Sequence, residues 1–136
     1  MVLLPGNWMN KDIRPEDMSL KAIAHLGDAV YELYIRRKTI FYTQKLDKLH
    51  TITTSYVNSI FQVELLENIK PILTEKELDI IRRARNQSLT STKRKEQATH
   101  RTSTSFEALI GYLYLTDQGR LEELLSIIDN FIDNKK

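Results

Sequence analysis

The chain has 136 residues, of which 41% are hydrophobic and 28% charged, close to the averages of globular proteins. This length suits one domain with its own hydrophobic core, so we expect residues 1–136 to form a single domain. The absence of cysteine excludes disulfides and thiolate metal sites and suits a cytoplasmic location. We expect neither a membrane span nor a signal peptide, because no apolar run is long enough and the first residues carry no basic region.

The net charge of +2 hides an uneven distribution of charge. Residues 82–101 hold one anion, Glu96, and seven cations, which gives this segment a charge of +6 and leaves −4 for the rest of the chain. The cations are Arg82, Arg83, Arg85, Lys93, Arg94, Lys95 and Arg101. A basic patch on an otherwise acidic chain favours a polyanionic partner. A solvated surface loop would have the same composition, so charge alone leaves both interpretations open.

Apolar residues recur at helical spacing along the chain, and no segment alternates in the manner of a strand. The pattern therefore predicts an all-α fold. In chain order, we predict a first helix from about residue 15 or 19 to 38. Further helices are predicted at about 46–69, 74–85, 103–116 and 121–132, with a polar loop at 86–92. Thr74 and Glu77 form a capping box at the start of the third helix. The fourth helix is expected to stop near Gly119, and the last carries a simple core-facing stripe.

Two carboxylates occupy unusual positions in this pattern. Asp28 borders the apolar face of the first helix, beside Gly27, whose presence within a helix suggests a close backbone approach. Taken alone, Asp28 is more simply a solvent-exposed residue at a helix edge. Glu107 is the only charged residue in the apolar run 105–115, which is typical of a buried helix. A buried carboxylate must be neutralised, paired with a cation or bound to a metal, so an arginine ion pair and a Mg²⁺ site both remain open.

Two short segments resemble the ribonuclease III family. Residues 25–30 (HLGDAV) resemble the signature whose aspartate binds magnesium, and residues 106–111 (FEALIG), followed by YLYL, resemble the second metal-binding helix. They occur in the family's order and on predicted helices. The resemblance covers the catalytic domain and leaves no room for a double-stranded-RNA-binding domain, as in the Mini branch of the family. It implies a single compact all-α domain of the ribonuclease III catalytic type.

The chain departs from the longer family members at three positions. Ala24 and Thr104 replace acidic residues of the longer members, a loss that the Mini branch shares, and this leaves Asp28 and Glu107 as the acidic pair. His25 stands where an aromatic residue often makes the dimer contact, so we expect His25 at a dimer interface.

The resemblance implies a Mg²⁺-dependent endoribonuclease that cleaves double-stranded RNA and leaves a 5′-phosphate, with Asp28 and Glu107 as catalytic metal ligands. It also implies a homodimer whose substrate is a precursor of large-subunit ribosomal RNA. The setting would be the ribosome, with a ribosomal protein as a candidate partner. The candidate RNA contacts are Arg82, Arg83, Arg85, Asn86, Lys93, Arg94, Lys95, Arg101 and Thr104.

Two other classes of protein fit parts of the sequence. A non-catalytic helical RNA-binding or ribosome-assembly protein would keep the basic patch but would not need a carboxylate in an apolar helix. A helical nucleotide pyrophosphohydrolase is suggested by Glu64 and Glu67, but the chain offers no convincing second acidic motif. Magnesium-dependent cleavage of duplex RNA would separate these alternatives from a ribonuclease.

Overall fold

The computed structural model describes residues 14–87 and 94–135, with side chains described from residue 97 onward in the second range. These ranges contain six α-helices: α1 (Leu20–Thr39), α2 (Leu46–Val57), α3 (Ser59–Ile69), α4 (Glu75–Gln87), α5 (Arg94–Thr116) and α6 (Gln118–Asn134). Short 3₁₀ turns precede α1 at Pro15–Asp17 and α4 at Lys70–Ile72, and the described residues contain no strand. The predicted all-α fold is confirmed. None of these helices has the length and apolar character that a membrane span requires.

The segment predicted as one helix over 46–69 forms two, so that prediction is wrong. Asn58 has an extended conformation (φ −71°, ψ 160°) between α2 and α3. Its side-chain oxygen accepts a hydrogen bond from the backbone N–H of Phe61 at 2.9 Å, which makes it the N-cap of α3. Asparagine favours caps because its side chain competes for backbone hydrogen bonds. Hydrophobic periodicity did not reveal the break because it continues on both sides of this single residue.

Two other helix boundaries differ from the prediction. α5 begins at Arg94 rather than near 103, so the basic segment contributes directly to this helix. Gly119, predicted to mark a helix end, lies in the first turn of α6 instead. The side chain of Asp117 accepts a hydrogen bond from the backbone N–H of Arg120 at 3.0 Å and thereby caps α6.

The predicted capping box at the start of α4 is confirmed. The Glu77 N–H donates to Thr74 Oγ1 at 3.1 Å, and the Thr74 N–H donates to Glu77 Oε1 at 2.9 Å. Glu77 also forms an ion pair with Arg120 of α6 (2.9 Å), and Arg120 donates to the carbonyl of Ile72. These contacts hold the start of α4 against the start of α6.

The helix α5 lies at the centre of the molecule and packs against α1, α3, α4 and α6. Its residues Phe106, Leu109 and Ile110 are fully buried, as the apolar run predicted. Tyr31 of α1 packs edge-on against Phe106, with ring centroids 5.2 Å apart, and its hydroxyl donates to the carbonyl of Tyr56 at 2.6 Å. The buried hydrophobic residues of the described ranges form one core around this helix.

Candidate active site

The helices α1 and α5 cross with their backbones in direct contact. A Cβ atom added at Gly27 would lie 1.8 Å from the carbonyl oxygen of Glu107, and one added at Gly111 would lie 2.1 Å from the carbonyl oxygen of Ile23. No side chain fits at either point, because real Cβ atoms do not approach other atoms this closely. The close approach that Gly27 suggested is therefore present, and it brings Asp28 beside Glu107.

The two carboxylates meet in an open pocket at this crossing. Asp28 is exposed on α1, whereas Glu107 is partly buried on α5, and the two carboxyl groups are close enough for Asp28 to raise the pKa of Glu107. The pocket has a volume of about 310 Å³. It is lined by Lys21, Ala24, His25, Asp28, His100, Thr104 and Glu107. The residues predicted as catalytic are thus brought together, although 79 positions separate them in the chain (28 and 107).

The environment of Glu107 favours its protonated form. Burial and the neighbouring Asp28 carboxyl group together raise the pKa of Glu107 to about 8, although a hydrogen bond from Gln62 opposes the increase. Glu107 forms no ion pair with a cation among the residues that the structure describes, so its interaction there is with Asp28 and not with an arginine. Two carboxyl groups in contact repel each other when both are ionised, and a bound cation would relieve that repulsion as a shared proton does.

The site fits Mg²⁺ better than it fits a transition metal. Within the described parts of the chain, no three His, Asp or Glu side chains converge where they could hold a metal ion. A cation between Asp28 and Glu107 would therefore have two carboxylates as protein ligands and would complete its shell with water. Mg²⁺ characteristically keeps several waters and uses one or two carboxylates, and the pocket is open enough for them.

A buried polar chain behind Glu107 escaped the sequence analysis. Gln62 of α3 and Ser103 of α5 are both buried, and the Ser103 hydroxyl donates to the Gln62 side-chain oxygen. The amide of Gln62 in turn lies close enough to Glu107 to lower the pKa of its carboxyl group. The sequence did contain a sign that Gln62 is buried, because Gln62 lies on the same helix face as the buried residues Leu65, Leu66 and Ile69.

Part of the basic segment lines a second pocket, which has a volume of about 310 Å³. We call it the cationic pocket. It is lined by Lys70, Leu78, Ile81, Arg82, Arg85, Asn86 and Arg101. Four of the predicted RNA contacts (positions 82, 85, 86 and 101) therefore share one pocket, whereas Lys70 was missed because it precedes the basic segment. The Nε of Arg101 is buried and has no hydrogen-bond partner among the described residues, so this guanidinium retains an unused donor.

The remaining predicted RNA contacts lie apart from the cationic pocket. Arg83 is exposed and pairs with Asp79 at 3.6 Å. Thr104 lies one turn before Glu107 and lines the carboxylate pocket instead. Lys93 and the side chains of Arg94 and Lys95 lie outside the described residues.

The chain resembles known proteins over most of its length. The model of the Ribonuclease III domain family matches residues 21–118, a range that contains both carboxylates. Among curated proteins, the Mini-ribonuclease 3 of Gloeobacter violaceus is 40% identical over 119 residues, covering 88% of each chain. The Mini-ribonuclease 3 of Thermoanaerobacter sp. is 43% identical over 114 residues (82% of this chain and 79% of the relative), and that of Kosmotoga olearia is 38% identical over 132 residues (96% and 90%).

The fold also matches a solved structure. A crystal structure of a protein from Fusobacterium nucleatum superposes with a TM-score of 0.74 at 30% identity, covering 93% of this chain and all of that one. The chain belongs to the ribonuclease III family. Within that family it falls in the Mini-ribonuclease 3 branch, and it is an endoribonuclease of the ribonuclease III type.

Proposed function

We propose that the protein cleaves double-stranded RNA with Mg²⁺ bound between Asp28 and Glu107. The observation that carries the proposal is the meeting of these two carboxylates in an open pocket, without a cationic partner among the described residues. A helical RNA-binding protein would have no use for this arrangement, because an unneutralised carboxylate next to an apolar core is unfavourable. The pair fits a hydrolase that works through a hard cation.

The residues of the pocket suggest how the chain assists hydrolysis. Mg²⁺ bound there would supply an activated water and neutralise charge on the scissile phosphate and the leaving 3′-oxygen. Asp28 and Glu107 would hold the cation, and no side-chain general base is then required. Lys21 lines the same pocket and would place positive charge beside the phosphate, and His100 lies there as a further polar contact. Attack of water on phosphorus with departure of the 3′-oxygen leaves a 5′-phosphate.

We infer that the duplex lies across the carboxylate pocket and the cationic pocket. Duplex RNA is recognised mainly through its shape, phosphates and 2′-hydroxyls, and the cationic pocket offers three guanidinium groups, an ammonium and an amide. Positive groups that neutralise phosphates supply most of such binding. Family membership supports a large-subunit ribosomal RNA precursor as substrate in the cytoplasm, with a ribosomal protein as a candidate partner.

We further propose that the enzyme works as a homodimer through the outward face of α1. Ala22, Ala29, Leu33 and Ile40 are exposed along one side of this helix. His25 lies at the edge of that side, next to the carboxylate pocket. Two copies related by a two-fold axis would present two sites to one duplex, as cleavage of both strands requires.

The first test compares Asp28→Asn and Glu107→Gln with the wild-type protein on duplex RNA, with and without Mg²⁺. Both variants should lose about 1,000-fold or more in cleavage rate, because each removes a ligand of the ion that activates water. Both should still bind the duplex, with an affinity that falls steeply as salt rises, since neither substitution removes a cationic side chain that contacts phosphate.

A matched control is Glu64→Gln, because Glu64 is an exposed carboxylate on α3 that pairs with Lys135. It should cleave at the wild-type rate, whereas a pyrophosphohydrolase that uses Glu64 would be inactivated. Cleavage by Asp28→Asn or Glu107→Gln within ten-fold of the wild type, or cleavage that does not need a divalent cation, would overturn the assignment.

A further inference from the structure

The side chain of Gln62 is buried behind the active site and hydrogen-bonded on two sides. It is 1% exposed, between α3 and α5. Its Nε2 donates to the carbonyl of Val57 at 3.1 Å, and its side-chain oxygen accepts from the Ser103 hydroxyl. Ser103 lies one turn before Glu107 on α5, so the amide that it binds lies beside the Glu107 carboxyl group and lowers its pKa. The oxygen and one N–H of this amide therefore have partners, and the second N–H is left to face Glu107.

These partners fix the direction in which the amide points. If the amide were flipped, its oxygen would face the Val57 carbonyl, and two acceptors would be left in contact with no proton between them. The Ser103 hydroxyl fits the observed orientation, because it can donate to the side-chain oxygen. Val57 at the end of α2 and Ser103 on α5 thus force Gln62 to present an N–H to Glu107.

A neutral amide suits a residue that orients a metal ligand. A carboxylate has about four lone-pair sites, so one N–H donor leaves the others free for a cation. An arginine or lysine at this position would pair with Glu107 and compete with that cation. A purely structural role needs no amide, since an apolar side chain of similar size would fill the same space in the core without polar groups to satisfy.

We propose that Gln62, held by Val57 and Ser103, is the positioning residue of Glu107 and fixes its carboxylate in the orientation that binds Mg²⁺. This inference rests on the proposed metal site. Partners that orient metal ligands typically change metal affinity or activity by about 10–100-fold when they are removed. Gln62 does not touch the substrate in this scheme, so its effect should reach catalysis only through Glu107.

The experiment uses two variants, each with a matched control. Gln62→Met removes every hydrogen bond of the amide at similar volume. Gln118→Met is its control, because among the described residues the Gln118 side chain bonds only the Tyr114 carbonyl, at 3.2 Å. Ser103→Ala removes the contact that holds the amide from behind. Its control is Ser105→Ala, on the same helix, because within the part of the chain that the structure describes the Ser105 hydroxyl bonds only the Thr102 carbonyl, at 2.6 Å.

Three quantities are measured: kcat, KM for a duplex RNA, and the Mg²⁺ concentration that gives half of the maximal thermal stabilisation of the RNA-free protein. Gln62→Met should lower kcat and raise this Mg²⁺ concentration, each by about 10-fold or more, with KM within about two-fold of the wild type. Ser103→Ala should change the same two quantities by about three-fold or more. The two controls should match the wild type in all three.

The inference is overturned if Gln62→Met is folded and matches Gln118→Met in kcat and in its response to Mg²⁺. If Gln62→Met does not fold, Ser103→Ala decides, and equality with Ser105→Ala overturns the inference. Failure of the wild-type protein to cleave duplex RNA in Mg²⁺ would instead overturn the proposed function. The two failures are therefore distinguishable.

Discussion

When no metal ion is bound, the surroundings of Glu107 both raise and lower its pKa. Burial and the adjacent carboxyl group of Asp28 favour its neutral form, whereas the N–H of Gln62 favours its charged form. Burial and Asp28 dominate, so Glu107 keeps its proton when no metal ion is bound. This proton lies where a bound cation would be most favourable. This competition between proton and cation gives the site a measurable dependence on pH.

We expect the metal-free protein to lose stability as pH rises from about 4.5, the ordinary value, towards the pKa of about 8 that Glu107 has in the folded state. In this window the folded state binds more protons than the unfolded state, so the free energy of unfolding falls with increasing pH. Glu107→Gln should flatten this dependence and stabilise the metal-free protein near pH 8 by an amount on the order of 1 kcal/mol, because solvent screens a partly exposed group.

Thermal unfolding with a chelator present, measured from pH 5 to pH 9, tests this expectation. A stabilisation of that size corresponds to a shift in Tm of roughly 3–5 °C for a chain of this length. Added Mg²⁺ should stabilise the wild type near pH 8 but not Glu107→Gln. Parallel pH profiles for the two metal-free proteins would show that Glu107 titrates in the same way folded and unfolded.

The predictability of the site differs between its residues. Glu107 could be singled out from the sequence because a single charge in an apolar helix violates the burial pattern, and Asp28 because it follows Gly27 in a recognisable motif. Gln62 could not be assigned a role, because its function depends on the approach of α3 to α5, which local spacing does not determine. Lys70 was missed for the same reason, since it joins the cationic pocket from a separate turn.

At the scale of the elements, the crossing of α1 and α5 is the feature on which the site depends. Hydrophobic periodicity predicted both helices and their burial, and capping chemistry predicted the start of α4. Hydrophobic periodicity did not predict the break at Asn58, because a one-residue interruption leaves the pattern on either side unchanged. Nor could it give the crossing itself, which arises where Gly27 and Gly111 allow two backbones to touch.

Gly27→Ala should therefore be far more harmful than a glycine substitution in a helix usually is. The added methyl would lie 1.8 Å from the Glu107 carbonyl oxygen, so α1 and α5 must separate, with an expected loss of about 3 kcal/mol or more. Gly119→Ala is the matched control, since its Cβ would meet only ordinary contact with Asp117 at 3.6 Å. That variant should be neutral or stabilised by up to about 1 kcal/mol.

Urea unfolding of both variants measures these differences directly. Any Gly27→Ala protein that remains folded should also cleave poorly, because separating the helices moves Asp28 away from Glu107. A Gly27→Ala protein with the stability of the wild type would mean that the two helices can separate freely, and the crossing would then not hold the carboxylates together.

At the scale of the whole molecule, α1 has one face in the core and an opposite face that carries exposed apolar residues. One packs into the core through residues such as Tyr31 and Ile35, both fully buried. The opposite face leaves Leu33 48% exposed and Ile40 56% exposed, whereas Leu26 packs partly against the core. Burial inside one monomer therefore explains Leu26 but not Leu33. Exposed apolar residues in line along a helix are typical of a surface that binds another protein.

We predict that the wild-type protein is a dimer at the concentrations used for cleavage and that Leu33→Glu dissociates it. A two-fold interface contains each residue twice, so one substitution buries two carboxylates and should raise the dimer dissociation constant by about 100-fold or more. His25→Glu, at the edge of the same face, should weaken the dimer in the same direction. Ile72→Glu is the control, since this residue is 45% exposed but lies on the turn before α4.

Sedimentation velocity over a range of concentrations distinguishes dimer from monomer, and cleavage of a duplex labelled on each strand reports the products. If the dimer supplies two sites, Leu33→Glu should lose cleavage of both strands to the extent that it dissociates. Its activity should return as the concentration of the variant rises and the dimer re-forms. Ile72→Glu should remain dimeric and active. A wild-type protein that is monomeric while it cuts both strands would refute the dimer. A monomeric Leu33→Glu with undiminished cleavage would show that the outward face of α1 serves another partner.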